Sequence, residues 1–303
     1  MAAKKVAILG VGQIGGALAH HLVLRNLCDE LVLVDADPRL ARAQAADLRH
    51  SLGVLGGRTR IRSGTYYDCD DAQVCVLTVS ANPAPNAPRL EQLDRSATTV
   101  GRIVPTVMAT GFSGVLVVLT DPSDLMAWLA HQLSDLPPER VIGLGTSLDV
   151  ARLRSHLAEV LDTDPAAVEA WVLGDAGEEP VIPWSQVRVN GNPLPETLDR
   201  EAVANTAADT AYNLIQGKGS AAFAMAAAAA DIVDAVLCDR HKTLCVSAAL
   251  HGEYGQDDIF LSVPAVIGSS GVERIVELEL TPEESRHMDK AARELCQYMI
   301  DIT

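Results

Sequence analysis

The chain has 303 residues, of which 48% are hydrophobic and 21% charged, enough for one large or two modest domains with an ample core. Its formal net charge of −16 at pH 7 makes nucleic acids and anionic membranes poor partners. We find no apolar leader, no apolar run that suits a bilayer, and no Cys-x-x-Cys pair or other metal-ligand spacing among the six cysteines. We therefore expect a cytoplasmic protein with reduced thiols and no metal.

The first half of the chain alternates short apolar runs with segments of helical periodicity. Buried strands are predicted at residues 5–10, 30–35, 74–80, 115–120 and 141–145. Helices are predicted between them, at residues 13–26, 38–50, 90–110 and 124–134. This order is typical of a doubly wound parallel sheet, the Rossmann arrangement.

After about residue 150 the pattern changes. Helices are predicted at residues 149–162, 198–216, 220–238 and 281–301, and strands at 169–174, 187–189, 243–249, 259–267 and 272–280. Long helices followed by strands separated by glycine-rich turns indicate an α+β unit. We therefore predict an α/β protein with a Rossmann domain over residues 1–145 and an α+β catalytic domain over residues 146–303.

A glycine-rich motif, Gly10-Val-Gly12-Gln13-Ile14-Gly15, follows the first strand and opens the first helix. Such glycines permit a tight turn, close approach of a pyrophosphate and close packing of helix on strand. Asp35 ends the next strand, at the spacing expected for an acid that accepts hydrogen bonds from a ribose 2′-hydroxyl. Because its charge would repel a 2′-phosphate, the motif predicts NAD rather than NADP.

Several longer segments share one pattern: residues 6–15, 30–35, 47–50, 138–143, 148–154, 182–185, 263–268 and 281–284. Together they resemble the lactate/malate dehydrogenase family. The resemblance covers essentially the whole chain. It implies an NAD-binding domain followed by a catalytic domain, and assembly as a homodimer or homotetramer.

Three residues match site residues of that family. Arg152 matches the arginine that binds the substrate carboxylate through two parallel hydrogen bonds. Asp149 matches the aspartate that orients the catalytic histidine, and Arg89 matches the mobile-loop arginine that polarises the reacting carbonyl. An alternative stays open for two of them, because Asp149 and Arg152 lie three apart on one helix and could form a plain surface ion pair.

Four residues depart from the family pattern in the same implied pocket. Ala176 stands where the family carries its proton-transfer histidine, and Asp121 replaces the asparagine of the Asn-Pro-x-Asp turn. Pro83 occupies the specificity position of the mobile loop, and Ala221 replaces a threonine on the substrate side. The resemblance thus implies an atypical member without the histidine.

These departures predict altered chemistry on a small carboxylate. Without a histidine, ketone reduction lacks its proton donor, whereas an iminium needs none. Asp121 and Asp149 would favour a positively charged nitrogen, so carbon–nitrogen redox chemistry is our first hypothesis. A variant keeps alcohol chemistry, with the two aspartates sharing a proton or with Asp175 or Glu178 standing in. The rival hypothesis is a non-catalytic NAD-binding relative that acts as a sensor or partner subunit.

Overall fold

The computed structural model describes residues 3–79, 89–175 and 180–302, without the side chains of residues 89–92, 211 and 301. Ala176, Glu178 and Pro83 lie outside these ranges. Arg89 is described as the first residue of a helix, and its side chain is not described.

The first half forms the predicted parallel sheet. Its strands are β1 (Lys5–Leu9), β2 (Glu30–Val34), β3 (Arg60–Ser63), β4 (Val74–Leu77), β5 (Val115–Val118) and β6 (Val141–Gly143). Its helices are α1 (Gln13–Leu24), α2 (Pro38–Leu55), α3 (Arg89–Met108) and α4 (Ser123–Ser134). The spatial order is β3-β2-β1-β4-β5-β6 with every neighbouring pair parallel, which confirms the Rossmann prediction.

The second half mixes helices with antiparallel strands. Its helices are α5 (Ser147–Val160), α6 (Arg200–Lys218), α7 (Ala222–Leu237) and α8 (Pro282–Asp301). Its strands are β7 (Val168–Glu169), β8 (Leu173–Gly174), β9 (Pro180–Val181), β10 (Arg188–Val189), β11 (Asn192–Pro193), β12 (Lys242–His251), β13 (Asp257–Gly268) and β14 (Gly271–Ile275). This α/β second half, like the parallel sheet, agrees with the predicted fold class.

One sheet runs through both halves. Ser247 of β12 pairs antiparallel with Gly143 of β6, and the order continues through β13, β8 and β9, with β14 on β13. A separate small sheet has the order β11-β10-β7. The pairing of β6 with β12 therefore joins the strands of the two halves into one continuous sheet.

Three details of the predicted strands were wrong. β3 was missed because its sequence, Arg60-Ile-Arg-Ser, alternates polar and apolar residues instead of forming an apolar run. The strand predicted at 169–174 is two short strands of different sheets, β7 and β8. The strand predicted at 272–280 ends at Ile275.

Except for the edge strand β3, the parallel strands of the first half are buried on both faces. Val6, Ile8 and their counterparts pack against α1, α2 and α7, while Ala7 and Leu9 face the opposite core against α3 and α4. This two-sided burial explains why the strands read as continuous apolar runs. Among the described residues, no single helix has the length and hydropathy of a membrane span, although α6 and α7 pass together as a pair bent by 115°.

Candidate active site

The glycine turn after β1 contains two packed glycines and one open glycine. Gly10 has φ +94°, and a Cβ there would lie 2.9 Å from Val79 Cγ1. A Cβ on Gly15 would lie 1.9 Å from the carbonyl oxygen of Gly10. Around Gly12, by contrast, the described chain places nothing within 4 Å of an added Cβ. At this open position the pyrophosphate of a dinucleotide can approach the backbone of the turn closely.

The start of α1 and the end of β2 complete a dinucleotide-binding arrangement. Gly12 is the N-cap of α1 and offers no side-chain cap, so the first N–H groups of α1 remain donors for a phosphate. Asp35 Oδ2 accepts a hydrogen bond from the N–H of Val11 at 2.8 Å, and Oδ1 accepts one from the N–H of Asp37 at 2.9 Å. The half-buried carboxylate is thereby fixed beside the turn.

A cleft of about 650 Å³ joins these elements. Its walls include Gly12, Gln13, Ile14 and Asp35, together with residues that the sequence analysis missed: Tyr66, Thr78, Thr99, Arg102 and Ser220. Burial raises the pKa of Tyr66, which the charge of Arg102 partly offsets and that of Asp35 reinforces. These walls come from separate elements, so no local motif marked them. The cleft fits a dinucleotide, with open space at the turn, helix N–H donors and an acid at the strand end.

Loops that follow the parallel strands meet at the carboxyl edge of the sheet, where ligands of this architecture bind. Thr120 Oγ1, after β5, donates a hydrogen bond to the carbonyl of Val79, after β4, at 2.9 Å. Ser96 Oγ of α3 donates to the carbonyl of Asp121 at 2.8 Å. Asp121 itself is exposed. The turn that carries this predicted site residue is thus fixed at the edge that also carries the cleft.

Asp149 and Arg152 form an ion pair on α5, with 2.8 Å between Arg152 Nη1 and Asp149 Oδ1. The Asp149 side chain is 34% exposed and the Arg152 side chain 18%, so the two form a half-buried ion pair within one helix. Burial raises the pKa of Asp149, and the charge and hydrogen bond of Arg152 oppose that rise. The two predicted residues are together, and in this arrangement each is the other's partner.

The junction of α6 and α7 touches the cofactor turn. Ser220 Oγ donates a hydrogen bond to Gln13 Oε1 at 2.6 Å, and Ala221, the N-cap of α7, is buried directly behind it. The predicted residue Ala221 therefore follows a residue that lines the cleft. Sequence separation of about 200 residues hid this contact.

Two exposed clusters each bring one histidine and two carboxylates within 4.8 Å of one another: Asp239, His241 and Glu273, and His251, Asp257 and Asp258. Glu273 lies 2.6 Å from His241 Nδ1, and this hydrogen bond, with the charge of Asp239, raises the pKa of His241. The two carboxylates face different ring nitrogens of His241, which suits an ion-paired imidazolium better than a metal ligand.

Two family patterns match nearly the whole chain. The family described as lactate/malate dehydrogenase, NAD binding domain, matches residues 4–143. The family described as lactate/malate dehydrogenase, alpha/beta C-terminal domain, matches residues 146–302. Among similar proteins, L-lactate dehydrogenase 3 of Bacillus cereus is 35% identical, over 99% of this chain and 98% of its own. L-lactate dehydrogenase 1 of Bifidobacterium longum is 36% identical, over 98% of both chains.

Solved structures agree with this assignment. The minor L-lactate dehydrogenase from Enterococcus mundtii in its ligand-bound form superposes with a TM-score of 0.95 at 34% identity, over 99% of both chains. A lactate dehydrogenase from a Medee basin deep-sea metagenome library gives 0.95 at 32% identity, over 100% of this chain and 99% of that one. The chain therefore belongs to the lactate/malate dehydrogenase family, as an NAD-dependent oxidoreductase.

Proposed function

We propose that this protein reduces or oxidises a small carboxylate substrate at a carbon–nitrogen bond, and not at the 2-oxo or 2-hydroxy group of pyruvate/lactate or oxaloacetate/malate. The observation that carries the proposal is the half-buried ion pair of Asp149 with Arg152. By the family resemblance, Asp149 matches the aspartate that orients the catalytic histidine. With Ala176 at the histidine position, the proposal gives Asp149 no imidazole to orient, and within the described part of the chain Asp149 pairs with the guanidinium of Arg152.

Bound NAD supplies or accepts a hydride at its nicotinamide ring. Reduction of a ketone leaves an alkoxide that must gain a proton, and Ala176 provides none. Reduction of an iminium differs, because hydride addition to its carbon moves the C=N electron pair to nitrogen and yields a neutral amine. This product needs no added proton, so a site without a general acid suffices.

The chain's own residues suit such a substrate. Arg152 would bind the substrate carboxylate, and Arg89 would close over the reacting group. Asp121, which replaces the family's asparagine, accepts hydrogen bonds but donates none when ionised, so it favours a protonated nitrogen over a carbonyl oxygen. Asp149 adds a second carboxylate, and burial raises its pKa, which also suits it to exchange a proton with a product amine. Pro83 offers no charge to a second substrate carboxylate, which argues against malate.

The first experiment compares turnover of 2-oxo acids with that of cyclic and acyclic imino acids and amino acids, using NADH and NAD. We expect negligible rates on pyruvate and oxaloacetate, since loss of a general acid/base costs about 10²- to 10⁴-fold. Ala176→His should restore 2-oxo acid reduction only partly, because Asp121 and Pro83 remain. Rates on pyruvate comparable to those of an ordinary lactate dehydrogenase would disprove the altered chemistry.

Asp121→Asn is the matched test of the electrostatic argument, because it removes the charge with almost no change of volume. We expect turnover of the carbon–nitrogen substrate to fall about tenfold or more while NADH binding is unchanged. Equal turnover by the variant would show that Asp121 does not face the substrate. If no substrate of the panel is turned over while NADH binds, the non-catalytic sensor or partner subunit becomes the better description.

We also propose that the chain acts as a cytoplasmic homodimer or homotetramer, with its NAD-binding part ending at residue 145 and its catalytic part starting at residue 146. The matched segments 4–143 and 146–302 support this boundary. Several helices expose large apolar side chains, and burying them between subunits would favour assembly: Leu24, Val54, Val160, Tyr212, Ile215 and Phe223. Light scattering coupled to gel filtration would disprove assembly by giving a mass near 32.1 kDa.

A further inference from the structure

A buried chain of hydrogen bonds lies directly before α5, the helix that carries Asp149 and Arg152. The N–H of Thr146 donates to Ser262 Oγ at 3.1 Å, and Ser262 Oγ donates to Asp124 Oδ1 at 2.8 Å. Thr146, Ser262 and Asp124 are 0% exposed. A carboxylate buried this completely is costly unless its hydrogen bonds are satisfied, so the geometry of its partners is tightly constrained.

The same region is held by further bonds. The N–H of Gly145 donates to Ser123 Oγ at 2.9 Å. Of two consecutive residues of α4, Ser123 thus binds Gly145 directly, and Asp124 reaches Thr146 through Ser262. Thr146 Oγ1 donates to the carbonyl of Val172 at 2.5 Å. Val172 directly precedes β8. Thr146 is thereby connected to β8 and lies directly before α5, which carries Asp149 and Arg152.

Packing around Gly145 leaves little freedom for this segment. Gly145 has φ +54°, and a Cβ there would lie 2.5 Å from the backbone nitrogen of Ser247 and 2.6 Å from Ser262 Oγ. A side chain at this position would clash with β12 and β13, and a shift of the backbone before α5 would strain the hydrogen bond from Thr146 to Ser262. Position errors of about 1 Å in a site residue are enough to reduce catalysis markedly.

We propose that Ser262, acting through Thr146 and Asp124, is a positioning residue that fixes the start of α5 and hence the placement of Arg152 relative to the Asp121 turn. Its catalytic consequence rests on the proposed carboxylate binding at Arg152. Ser262 touches neither substrate nor cofactor in this proposal and acts through the α5 backbone.

The chain offers a matched control for this proposal. Ser247 on β12 pairs directly across the sheet with Ser262 on β13 and is also 0% exposed. Ser247 Oγ, however, has no hydrogen-bond partner in the described part of the chain. Ser262→Ala and Ser247→Ala therefore remove the same atom at neighbouring buried positions. Only Ser262→Ala breaks the chain of hydrogen bonds from Thr146 through Ser262 to Asp124.

The experiment measures amide hydrogen exchange over residues 145–150 and the binding of two probes, NADH and then oxamate to the NADH complex. Oxamate is a small carboxylate that the enzyme cannot reduce. For Ser262→Ala we expect exchange about tenfold faster in this segment and oxamate about tenfold weaker, with the Kd of NADH within about twofold. Ser247→Ala should change none of these. If Ser262→Ala does not fold, Ser262→Cys serves as the milder variant, because a thiol is a weaker donor and acceptor at the same position; it should shift exchange and oxamate binding in the same direction by less.

Equal behaviour of the two serine variants would overturn the proposal, and so would faster exchange without weaker oxamate binding. A wild-type protein that binds NADH but no oxamate would instead contradict the proposed carboxylate site. The exchange rates of Ser262→Ala and Ser247→Ala would then show by themselves whether Ser262 fixes the start of α5, because this measurement needs no substrate.

Discussion

The cofactor cleft and the Arg152 helix lie at the same edge of one sheet, yet they are specified differently. The glycine turn and Asp35 come from two consecutive strands, and the backbone of the turn directly holds the Asp35 carboxylate. The proposed substrate side instead combines α5, the Asp121 turn and the α6–α7 junction, which are far apart in sequence. Its support passes through buried bonds from β13 and α4.

Because of this difference, side chains of the proposed substrate side can be replaced without loss of the fold, whereas the packed glycines of the cofactor turn, Gly10 and Gly15, cannot. The dinucleotide turn follows steric rules that leave few choices at Gly10 and Gly15. The proposed substrate side depends on individual side chains, so replacing a histidine, an asparagine or a threonine there would alter the proposed chemistry while the fold persists.

The largest expected effect tests the steric part of the comparison. Gly15→Ala would place Cβ 1.9 Å from the Gly10 carbonyl, so the turn must move; we expect about 3 kcal/mol of lost stability and no measurable NADH binding. Gly12→Ala meets open space and should leave stability within about 0.5 kcal/mol while weakening NADH more than about tenfold. Urea unfolding and fluorescence titration check both. Similar loss of stability in the two variants would refute the distinction between packed and open glycines.

The next effect tests the substrate side. Arg152→Ala removes the proposed carboxylate partner, and we expect oxamate binding to weaken about 100-fold with the Kd of NADH unchanged. Asp149→Asn removes the competing charge 2.8 Å from Arg152 and should strengthen oxamate binding a few-fold. Calorimetric titration of the NADH complexes measures both. Unchanged oxamate affinity in Arg152→Ala would exclude Arg152 as the carboxylate site.

A smaller effect tests cofactor choice. Asp35→Ser removes the charge that would repel a 2′-phosphate, so we expect NADH to bind about tenfold more weakly and NADPH more tightly than in the wild type. The wild type should bind NADPH much more weakly than NADH. Fluorescence titrations with both cofactors measure the ratio of Kd values. Equal wild-type affinities for the two would contradict the role given to Asp35.

The smallest expected effect concerns Glu284, whose carboxylate accepts hydrogen bonds both within its own helix and from a distant segment of the chain. Glu284 caps α8 through the N–H of Thr281 and also accepts hydrogen bonds from the N–H and hydroxyl of Ser185. Burial would raise the pKa of Glu284, but these hydrogen bonds outweigh burial and lower it. Stability from this group is present above its unfolded-state pKa and is lost as the pH falls through its lowered folded-state pKa.

Glu284→Gln should therefore cost about 1 kcal/mol of unfolding free energy at pH 7 and progressively less in acid. Ser185→Ala removes the tertiary hydrogen bond of the hydroxyl, keeps the one from the backbone N–H and leaves the cap within α8 intact, so its cost should be smaller. Urea unfolding at several pH values checks both variants. A cost that does not change with pH would show that the charge of Glu284 contributes nothing.

The sequence by itself determined the family, the fold class and the cofactor. Strands buried on both faces appear as apolar runs, and Gly10, Gly12, Gly15 and Asp35 act through the backbone of adjacent elements, so their spacing carries the information. The cap of α8 is local in the same way, with Thr281 and Glu284 within one turn. Such features depend on neighbours in sequence and therefore survive without knowledge of the fold.

The tertiary structure decided what the sequence could not. β3 became a strand because β2 pairs with it, despite its polar residues. Ser220 reached Gln13, and Ser262 reached Thr146, across more than 100 residues. Asp149 and Arg152 share a helix, but their half-buried pairing depends on the surroundings of α5. Contacts of this kind arise when distant segments pack, and their energy resides in burial and geometry that no local pattern records.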